Sequence, residues 1–308
     1  MFRKLLTRLM KDEKGLSFVL VSVGIMSLFG MAALVTDFGR IALARQQLVN
    51  AVDSAAMAGA HELNFNPDPS SREVTARQEA LNVAAANGAP AGSVTVTIDG
   101  NKVTVDAERN VELIMSRAFG VNSRTVHTHA AAVVGSVTSY RGIAPLCIRE
   151  QSFEYGQICT LKYGSPDSSG NFGALALGGT GASNYKQNLI NGYNQTVSIG
   201  DKLKTEPGNM HGPTDGIDQR LARCNDGCTY DNFKPGCPKV LVIPLHNESD
   251  LHGRDEITVT GFAVFFVDRV ATGCDDDEIK GYFVRMAAEG DYDPSRSVTG
   301  LYGVRMIE

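Results

Sequence analysis

Six cysteines are the residues of this chain with the clearest chemical potential, and all of them lie in its C-terminal part. They are Cys147, Cys159, Cys224, Cys228, Cys237 and Cys274. An even number confined to one part of a chain is typical of disulfides formed in an oxidising compartment. We expect Cys147 and Cys159 to form a local pair and the other four to form two bridges. The alternative is a structural zinc site made by those four, because the Cys224-x3-Cys228 spacing is compatible with zinc.

Histidines are the next candidates, since a nucleophilic serine or cysteine needs a histidine base within hydrogen-bond reach. Of the six, His127 and His129 are two residues apart and should share one face of a strand. His211, His246 and His252 are scattered among turn residues. The chain contains neither Gly-x-Ser-x-Gly nor His-Glu-x-x-His, which mark two large classes of hydrolase. We therefore expect no catalytic residue and a protein that is not an enzyme.

Two further segments could in principle bind ligands. Gly178-Gly179-Thr180-Gly181 is glycine-rich, but it lacks the Gly-Lys-Ser/Thr ending of a phosphate loop and a clear following helix. Asp275-Asp276-Asp277-Glu278 lacks the alternating carboxylates of a calcium-binding loop. We expect a flexible loop and a solvated acidic loop, and hence no cofactor and no bound metal.

The element that must position everything else is an apolar segment near the N-terminus. Gly15 to Val35 contain no charged residue in 21 positions, and a helix of that length spans roughly the 30 Å hydrocarbon core of a bilayer. Residues 1–14 carry five basic and two acidic residues, a net of +3, whereas the whole chain nets −5. Short basic flanks stay in the cytoplasm. We therefore expect the N-terminus inside and about 270 residues outside.

The alternative interpretation of this segment is a cleaved secretory signal peptide. A retained anchor is favoured, because a signal peptide's apolar core is usually only 7–15 residues long and ends at a small-x-small cleavage site. The external location in turn favours disulfides over zinc for the six cysteines. The negative charge outside the membrane argues against a nucleic-acid partner.

A second helical pattern follows the apolar segment without interruption. Apolar or small residues recur with a period near 3.6 at Phe38, Ile41, Ala42, Leu48, Val49, Val52, Ala55, Ala56 and Gly59. Positions 1–66 contain no proline, so we predict one helix from about Leu16 to Leu63. Half of it would lie in lipid, and half would pack on a domain or on partner helices. Within the span, Gly24, Ser27, Gly30 and Leu34 lie near one face, which either allows close helix contact or reflects ordinary membrane-helix composition.

The run DEKG is followed by the apolar span and by ALVTDFGRIALARQQLVNAVDSAAMAGAHEL. The most informative residues of this run are Asp37, Gly39, Arg40, Arg45, Gln47, Leu48, Asn50, Ala51, Asp53 and Ala55. With these residues, the N-terminal region resembles the TadE/TadG-like family of the tight-adherence (Flp) pilus-assembly system. The resemblance is close over residues 12–63 and looser to residue 137. It implies a membrane-anchored, pilin-like or pilus-associated protein without a catalytic motif in this region.

One departure from that family concerns processing. Prepilin-like members carry a glycine cleavage site with a glutamate five positions later. Here Lys14-Gly15 is followed by Leu16, Ser17, Phe18, Val19 and Leu20. The missing glutamate argues against cleavage after Gly15, so Lys14 and Gly15 are a weak processing site.

The remainder predicts an α+β protein. Residues 72–137 contain a helix at 72–87, a hairpin of strands 94–98 and 102–106 turning at Asp99-Gly100, a helix at 111–119 capped by Gly120, and a strand at 125–137. The long helix should cover this small sheet. Residues 138–308 read as a mainly β, disulfide-containing domain, either sandwich or barrel. Its strand-like runs are 239–245, 256–267 and 281–286, and its one helix is predicted at 185–193.

These observations divide the chain into a basic cytoplasmic leader (1–14), a transmembrane helix (15–36), a pilin-like helix with a small α/β domain (37–137) and the β domain (138–308). We predict a non-enzymatic, single-pass protein of a bacterial cytoplasmic membrane whose later domains are extracytoplasmic or at the cell surface. It would be a minor-pilin-like or pilus-associated component that contacts other pilus-assembly proteins through helix 16–63. The alternative is a tethered adhesin or binding module.

Overall fold

The structure is a computed structural model, and it describes residues 13–66, 68, 70–163, 171–206, 216–249, 251, 253–271 and 278–307. The helices are α1 (Glu13–Phe65), α2 (Arg72–Ala86), α3 (Ala182–Asn191) and α4 (Gly216–Leu221), with a 3-10 helix at Ser116–Phe119. The strands are β1 (Val94–Asp99), β2 (Lys102–Glu112), β3 (Ser123–Val137), β4 (Ser139–Arg141), β5 (Leu146–Arg149), β6 (Ile158–Tyr163), β7 (Asn171–Ala174), β8 (Thr196–Ser198), β9 (Lys202–Lys204), β10 (Val240–His246), β11 (Glu256–Thr258), β12 (Gly261–Ala271), β13 (Glu278–Val284), β14 (Met286–Ala287), β15 (Tyr292–Asp293) and β16 (Leu301–Met306).

The described residues form two compact units. The first comprises 13–55, 80–96 and 104–130, and the second comprises 56–79, 97–103 and 131–307. This division differs from the boundary expected near residue 137, because α1, β2 and β3 each contribute to both units.

Helix α1 confirms the expectation of one uninterrupted element. It contains 53 residues and is therefore about 80 Å long. Its later half buries one stripe, in which Leu48, Ala51, Val52 and Ala55 are all fully buried. The small side chains of this stripe let neighbouring backbone approach closely.

The predicted hairpin and third strand form one sheet with strands from the C-terminus. The strand order is β1-β2-β3-β16-β14, and β15 also pairs with β3. Gly100 adopts a φ of 58° in the hairpin turn, as a tight turn with positive φ requires. β16 lies antiparallel to β3 with Val304 opposite Val134. The sequence did not predict this long-range pairing.

The expected helix at 111–119 is wrong for most of its length. Strand β2 continues to Glu112, with Val111 and Leu113 buried on either side of exposed Glu112. This alternation has the period of a strand. Only Ser116–Phe119 is helical, and Gly120 caps it with a φ of 85° as expected.

The region from β5 to β13 confirms the barrel alternative. Six strands close in the order β10-β12-β13-β6-β7-β5. The expected strand at 256–267 is instead two strands, β11 and β12, which pair with β9 and β10 respectively. The expected helix at 185–193 begins three residues earlier, at Ala182.

Strand β10 of the barrel is buried on both faces. All seven residues of β10 are buried, which explains their continuous rather than alternating apolar sequence. Val242 packs in one apolar cluster with Val264 and Phe266, and Ile243 packs in a second cluster with Phe265. The second cluster also contains Tyr185 and Leu189 from α3 and Ile217 from α4.

The second unit also holds the C-terminal end of α1. Arg285 donates hydrogen bonds to the carbonyl oxygens of Asn64 and Asn66, each at 3.2 Å. Its guanidinium lies over the Tyr155 ring, 4.3 Å from the centroid. A cation at this position complements the partial negative charge of a helix C-terminus and satisfies its last carbonyls.

We predict that Gly281→Ala destabilises the barrel. Gly281 lies in β13 between Val267 and Cys159 of its neighbouring strands. An added Cβ would collide with the backbone oxygen of Phe266 and the ring of Phe265. Overpacking of this kind costs about 1–3 kcal/mol, which is measurable by chemical unfolding of the full-length protein in detergent.

The matched control is Gly39→Ala. An added Cβ at Gly39 meets no atom within 4 Å, and alanine favours the helix over glycine by about 1 kcal/mol. Equal unfolding free energies for Gly281→Ala and the wild type would contradict the packing around β13.

Candidate functional site: an exposed apolar half-helix held by Asp37

The first half of α1 is apolar and fully exposed. It is long and apolar enough to cross a membrane, and its most apolar 18-residue window has no buried residue. Exposed fractions reach 75% for Phe18, 77% for Met26, 72% for Phe29 and 72% for Leu34. A continuous apolar surface of this size marks a membrane or protein contact, so this half-helix is the first part of the candidate site.

Asp37 lies where this exposed half ends, and its carboxylate is buried. Oδ1 accepts a hydrogen bond from the Ile114 amide at 2.8 Å. Oδ2 accepts hydrogen bonds from the Ser116 amide and from the Ser116 hydroxyl, each at 2.7 Å. The Met115 amide contributes longer bonds of 3.2 and 3.3 Å. These amides are free donors at the start of the Ser116–Phe119 helix, where an anion is favoured. Asp37 thus acts as a cap supplied by another element.

These hydrogen bonds stabilise the ionised form of Asp37. The Ser116 hydroxyl is the largest contributor, and the amides of Ile114, Ser116 and Met115 add to it against the opposing effect of burial. Together they lower the pKa of Asp37 from 3.8 to about 2. The carboxylate is therefore charged at every physiological pH.

Arg109 makes a second contact between α1 and the first unit's other elements. Its guanidinium donates to Gln47 Oε1 at 2.9 Å and to the carbonyl oxygen of Gly88. Gly88 follows α2 and has a φ of 85°. Arg109 of β2 thereby joins α1 to the end of α2.

The loop that Asp37 holds carries exposed apolar side chains. Ile114 is 51% exposed, Met115 45% and Val121 50%. Arg117 pairs with Glu112 at 3.5 Å on the surface of the same loop. The fixed distance between this loop and Asp37 keeps its apolar side chains beside the end of the exposed half-helix.

The processing site at Lys14 and Gly15 lies within the first turns of α1, which begins at Glu13. The structure thus shows helical backbone at the bond after Gly15. The expectation that the bond after Gly15 is not cleaved stays a prediction.

The structure does not bring the expected Cys147–Cys159 pair together. Cys147 lies opposite Gly173 of β7, whereas Cys159 lies opposite Gly281 of β13. Since β6 and β7 pair with Tyr163 opposite Phe172, the two cysteines are separated by at least four residues along the strands, about 13 Å. A disulfide needs Cα atoms within about 7 Å. The five described cysteines are all free thiols, and Cys274 lies outside the described residues.

Three other cysteines do converge. The sulfur atoms of Cys224, Cys228 and Cys237 lie within 4.8 Å of one another, and those of Cys224 and Cys237 are 3.7 Å apart. Burial raises the pKa of Cys224, but the Cys228 amide, the Cys237 side chain, the Asp226 amide and the Cys228 side chain together outweigh it by hydrogen bonding, so this pKa lies below its usual value. Burial also raises the pKa of Cys237, to about 12.

The described histidines do not form a catalytic arrangement with a reactive thiol. His127 and His129 lie on the exposed face of β3 as expected, and His127 pairs with Glu108 at 3.4 Å. His246 is fully buried, 3.4 Å from the Glu248 carboxylate. Burial raises the pKa of the Cys147 thiol to about 12, so that thiol is protonated and unreactive at neutral pH. His211 and His252 lie outside the described residues.

The glycine-rich loop at 178–181 is followed directly by α3, contrary to expectation. An anion could be favoured at the start of that helix. However, the Gly181 amide already donates to Glu206 Oε1 at 3.1 Å. The carboxylate of Glu206 thus takes the position that a phosphate would need. The acidic segment 275–278 lies almost wholly outside the described residues.

Comparison with known families identifies the segment that contains the exposed half-helix and Asp37. Residues 17–62 match the family described as "Putative Flp pilus-assembly TadE/G-like". Searches of the curated proteins and of the solved structures found no match. The TadE/G-like segment links the chain to Tad/Flp pilus assembly and covers most of α1.

The structure gives physical roles to several residues of the TadE/G-like segment. Asp37 and Gln47 make hydrogen bonds to the first unit's strands and loop, and Leu48, Ala51 and Ala55 form its buried stripe. Sequence reasoning missed the partners, Ser116 and Arg109. The signal for Asp37 was present, since a carboxylate directly after 21 apolar residues requires a partner or water.

We predict that Asp37→Asn loosens the 114–116 loop. An amide oxygen cannot replace a carboxylate that accepts from several donors at once, so protection of these amides against hydrogen exchange should fall on the order of tenfold or more. In the wild type, the stabilising effect is present above about pH 4 and is lost as the pH falls from about 4 through 2, because folding lowers this pKa. Asp37→Asn should show no such loss.

The matched control is Asp53→Asn, which makes the same charge change further along the buried half of α1. It should leave protection at residues 114–116 and its pH dependence unchanged. Equal protection in Asp37→Asn and the wild type would show that the carboxylate does not hold the loop.

Proposed function

We propose that this protein is a non-enzymatic, membrane-anchored component of a Tad/Flp-type pilus assembly, either minor-pilin-like or pilus-associated. The observation that carries the proposal is the coincidence of the TadE/G-like segment with an exposed apolar half-helix and a buried half fixed to folded units. Pilin-like proteins need both parts, one for the bilayer and one for the folded domain.

Lipid is the partner proposed for the half-helix before Asp37. Its side chains are apolar around the whole circumference, as expected of a helix surrounded by acyl chains. The basic leader favours a cytoplasmic N-terminus, and with that orientation both folded units would lie outside the cytoplasm. The protein would then be a single-pass component of a bacterial cytoplasmic membrane.

The loop held by Asp37 fits this topology. Because Asp37 directly follows the span, the loop lies at the height of the lipid headgroups. Its exposed Ile114, Met115 and Val121 can enter the interface, where apolar side chains are favoured. Burial of these three side chains in the interface would account for their exposure in the isolated chain.

Other pilus-assembly proteins are the partners proposed for the part of α1 just beyond the membrane. Phe38 and Leu43 are 73% and 61% exposed there, at a position that acyl chains do not reach. Apolar side chains of this size on a helix favour contact with partner helices.

A pair of leucine substitutions distinguishes the lipid contact from the protein contact. Leu28 and Leu43 are similarly exposed, at 68% and 61%, but only Leu28 lies within the span. We expect Leu28→Arg to reduce membrane integration strongly, because arginine at the centre of a membrane helix costs about 2.5–3.5 kcal/mol. Leu43→Arg should remain in the membrane but lose pilus assembly. Carbonate-resistant membrane fractions and pilus yields measure the two effects.

Equal partitioning of the two variants between membrane and soluble fractions would contradict the proposed span. Normal piliation with Leu43→Arg would contradict the contact proposed for the extracytoplasmic part of α1. A charge-neutral control, Leu43→Met, should behave as the wild type in both measurements.

Deletion of the gene tests the proposed function as a whole. We expect loss or strong reduction of pili, restored by the wild type and not by Leu43→Arg. Normal pili together with lost adherence would support the tethered adhesin instead. Normal pili and normal adherence would contradict both functions.

A further inference from the structure

The cysteine cluster of Cys224, Cys228 and Cys237 has the geometry of a metal site. All three sulfur pairs lie within 4.8 Å, and the Cys224–Cys237 pair is 3.7 Å apart. In a tetrahedral zinc site with bonds of about 2.3 Å, neighbouring sulfurs are about 3.8 Å apart. A disulfide would need a separation of about 2.05 Å. The cluster therefore matches thiolates around an ion more closely than a bonded pair.

Backbone amides point at two of the sulfurs. The amides of Asp226 and Cys228 donate to the Cys224 sulfur, and the Lys239 amide donates to the Cys237 sulfur. In each case one donor lies two residues after the cysteine. Such hydrogen bonds orient metal-bound thiolates and offset their charge.

Glycines shape both turns that present the cluster. Gly227 and Gly236 directly precede Cys228 and Cys237 and have φ values of 62° and 83°. This left-handed conformation is easily adopted only by glycine. The turns that present Cys228 and Cys237 therefore depend on glycine.

Positive charge surrounds the cluster. Arg220 donates from Nε to the Pro238 carbonyl at 2.8 Å and from Nη2 to the Val240 carbonyl at 3.0 Å, on both sides of Lys239. Lys239 Nζ donates to the Cys228 carbonyl at 3.3 Å. Three thiolates and one Zn²⁺ carry a net charge of −1, which these two cations offset.

The surrounding segment needs an additional source of stability. Between α4 and β10, residues 222–239 form turns and one isolated bridge between Thr229 and Asn232. Cys228 and Cys237 are each 6% exposed and pack in the same apolar cluster as Val240 and Val242 of β10. An ion at the cluster would join the two turns of this segment to each other, next to the apolar cluster that contains Val240 and Val242.

We propose that Cys224, Cys228 and Cys237 bind a structural Zn²⁺ ion that joins the two turns of residues 222–239, the second of which leads directly into β10. The three sulfurs supply three of the four ligands of a tetrahedral ion. Binding releases the thiol protons, because the metal takes the cysteines as thiolates. The site is independent of the proposed role in pilus assembly.

Metal analysis of the full-length protein tests this proposal. The protein is purified from membranes in detergent without chelator or reductant, and zinc is measured by inductively coupled plasma mass spectrometry. We expect about one zinc per chain. Cys224→Ser and Cys237→Ser should lose most of it, whereas the matched control Cys159→Ser should keep it.

The same preparation is alkylated without reduction and mapped by peptide mass spectrometry. A disulfide between any two of the three cysteines, with zinc near zero, would overturn the proposal. If the serine variants fail to fold, removal of zinc from the wild-type protein with a chelator tests the proposal instead. We expect chelation to release zinc and lower the midpoint of thermal unfolding, and added Zn²⁺ to restore it. No zinc in the folded wild type would also overturn it.

Discussion

The buried carboxylate of Asp37 is the constraint on which the first unit depends. A charge held away from water must be matched by donors, and here the amides of residues 114–116 and the Ser116 hydroxyl supply them. This requirement fixes the rotation of α1 and its height relative to the loop between β2 and β3. Asp37 therefore sets where the apolar half of α1 ends and the packed half begins.

The two halves of α1 differ in sequence pattern and in exposure. From residue 38 onward, small residues and a narrow apolar stripe allow close packing on folded elements, with Leu48 and Ala51 fully buried. Between residues 15 and 35 the helix carries no charged residue. It therefore has no polar face that could contact water while the opposite face packs on a folded domain. The TadE/G-like segment spans this change of environment. Its polar residues Asp37 and Gln47 make hydrogen bonds to other elements.

Local signals predicted α1, the hairpin at Gly100, the cap at Gly120 and the buried barrel strands, because each depends on residues near in sequence. The parts that were missed depend on distant residues. The local sequence of residues 111–119 predicts a helix, but Val111 and Leu113 are buried with the alternation of a strand. The amides that follow donate hydrogen bonds to Asp37, which is distant in sequence. The pairing of β16 with β3 has no local signature. Cysteine count and compartment predicted disulfides, whereas the convergence of Cys224, Cys228 and Cys237 depends on how two glycine turns meet.

Arg285 has a mechanical consequence. It donates to the carbonyl oxygens of Asn64 and Asn66 at the end of α1 and directly follows β13, so part of any tension on this end of the helix would reach the barrel at the end of one strand. β13 is hydrogen-bonded to β12 on one side and β6 on the other along most of its length. A force along a strand must shear many of these bonds together rather than open them one at a time. The contact of Arg285 with the end of α1 therefore adjoins a strand that is paired on both sides.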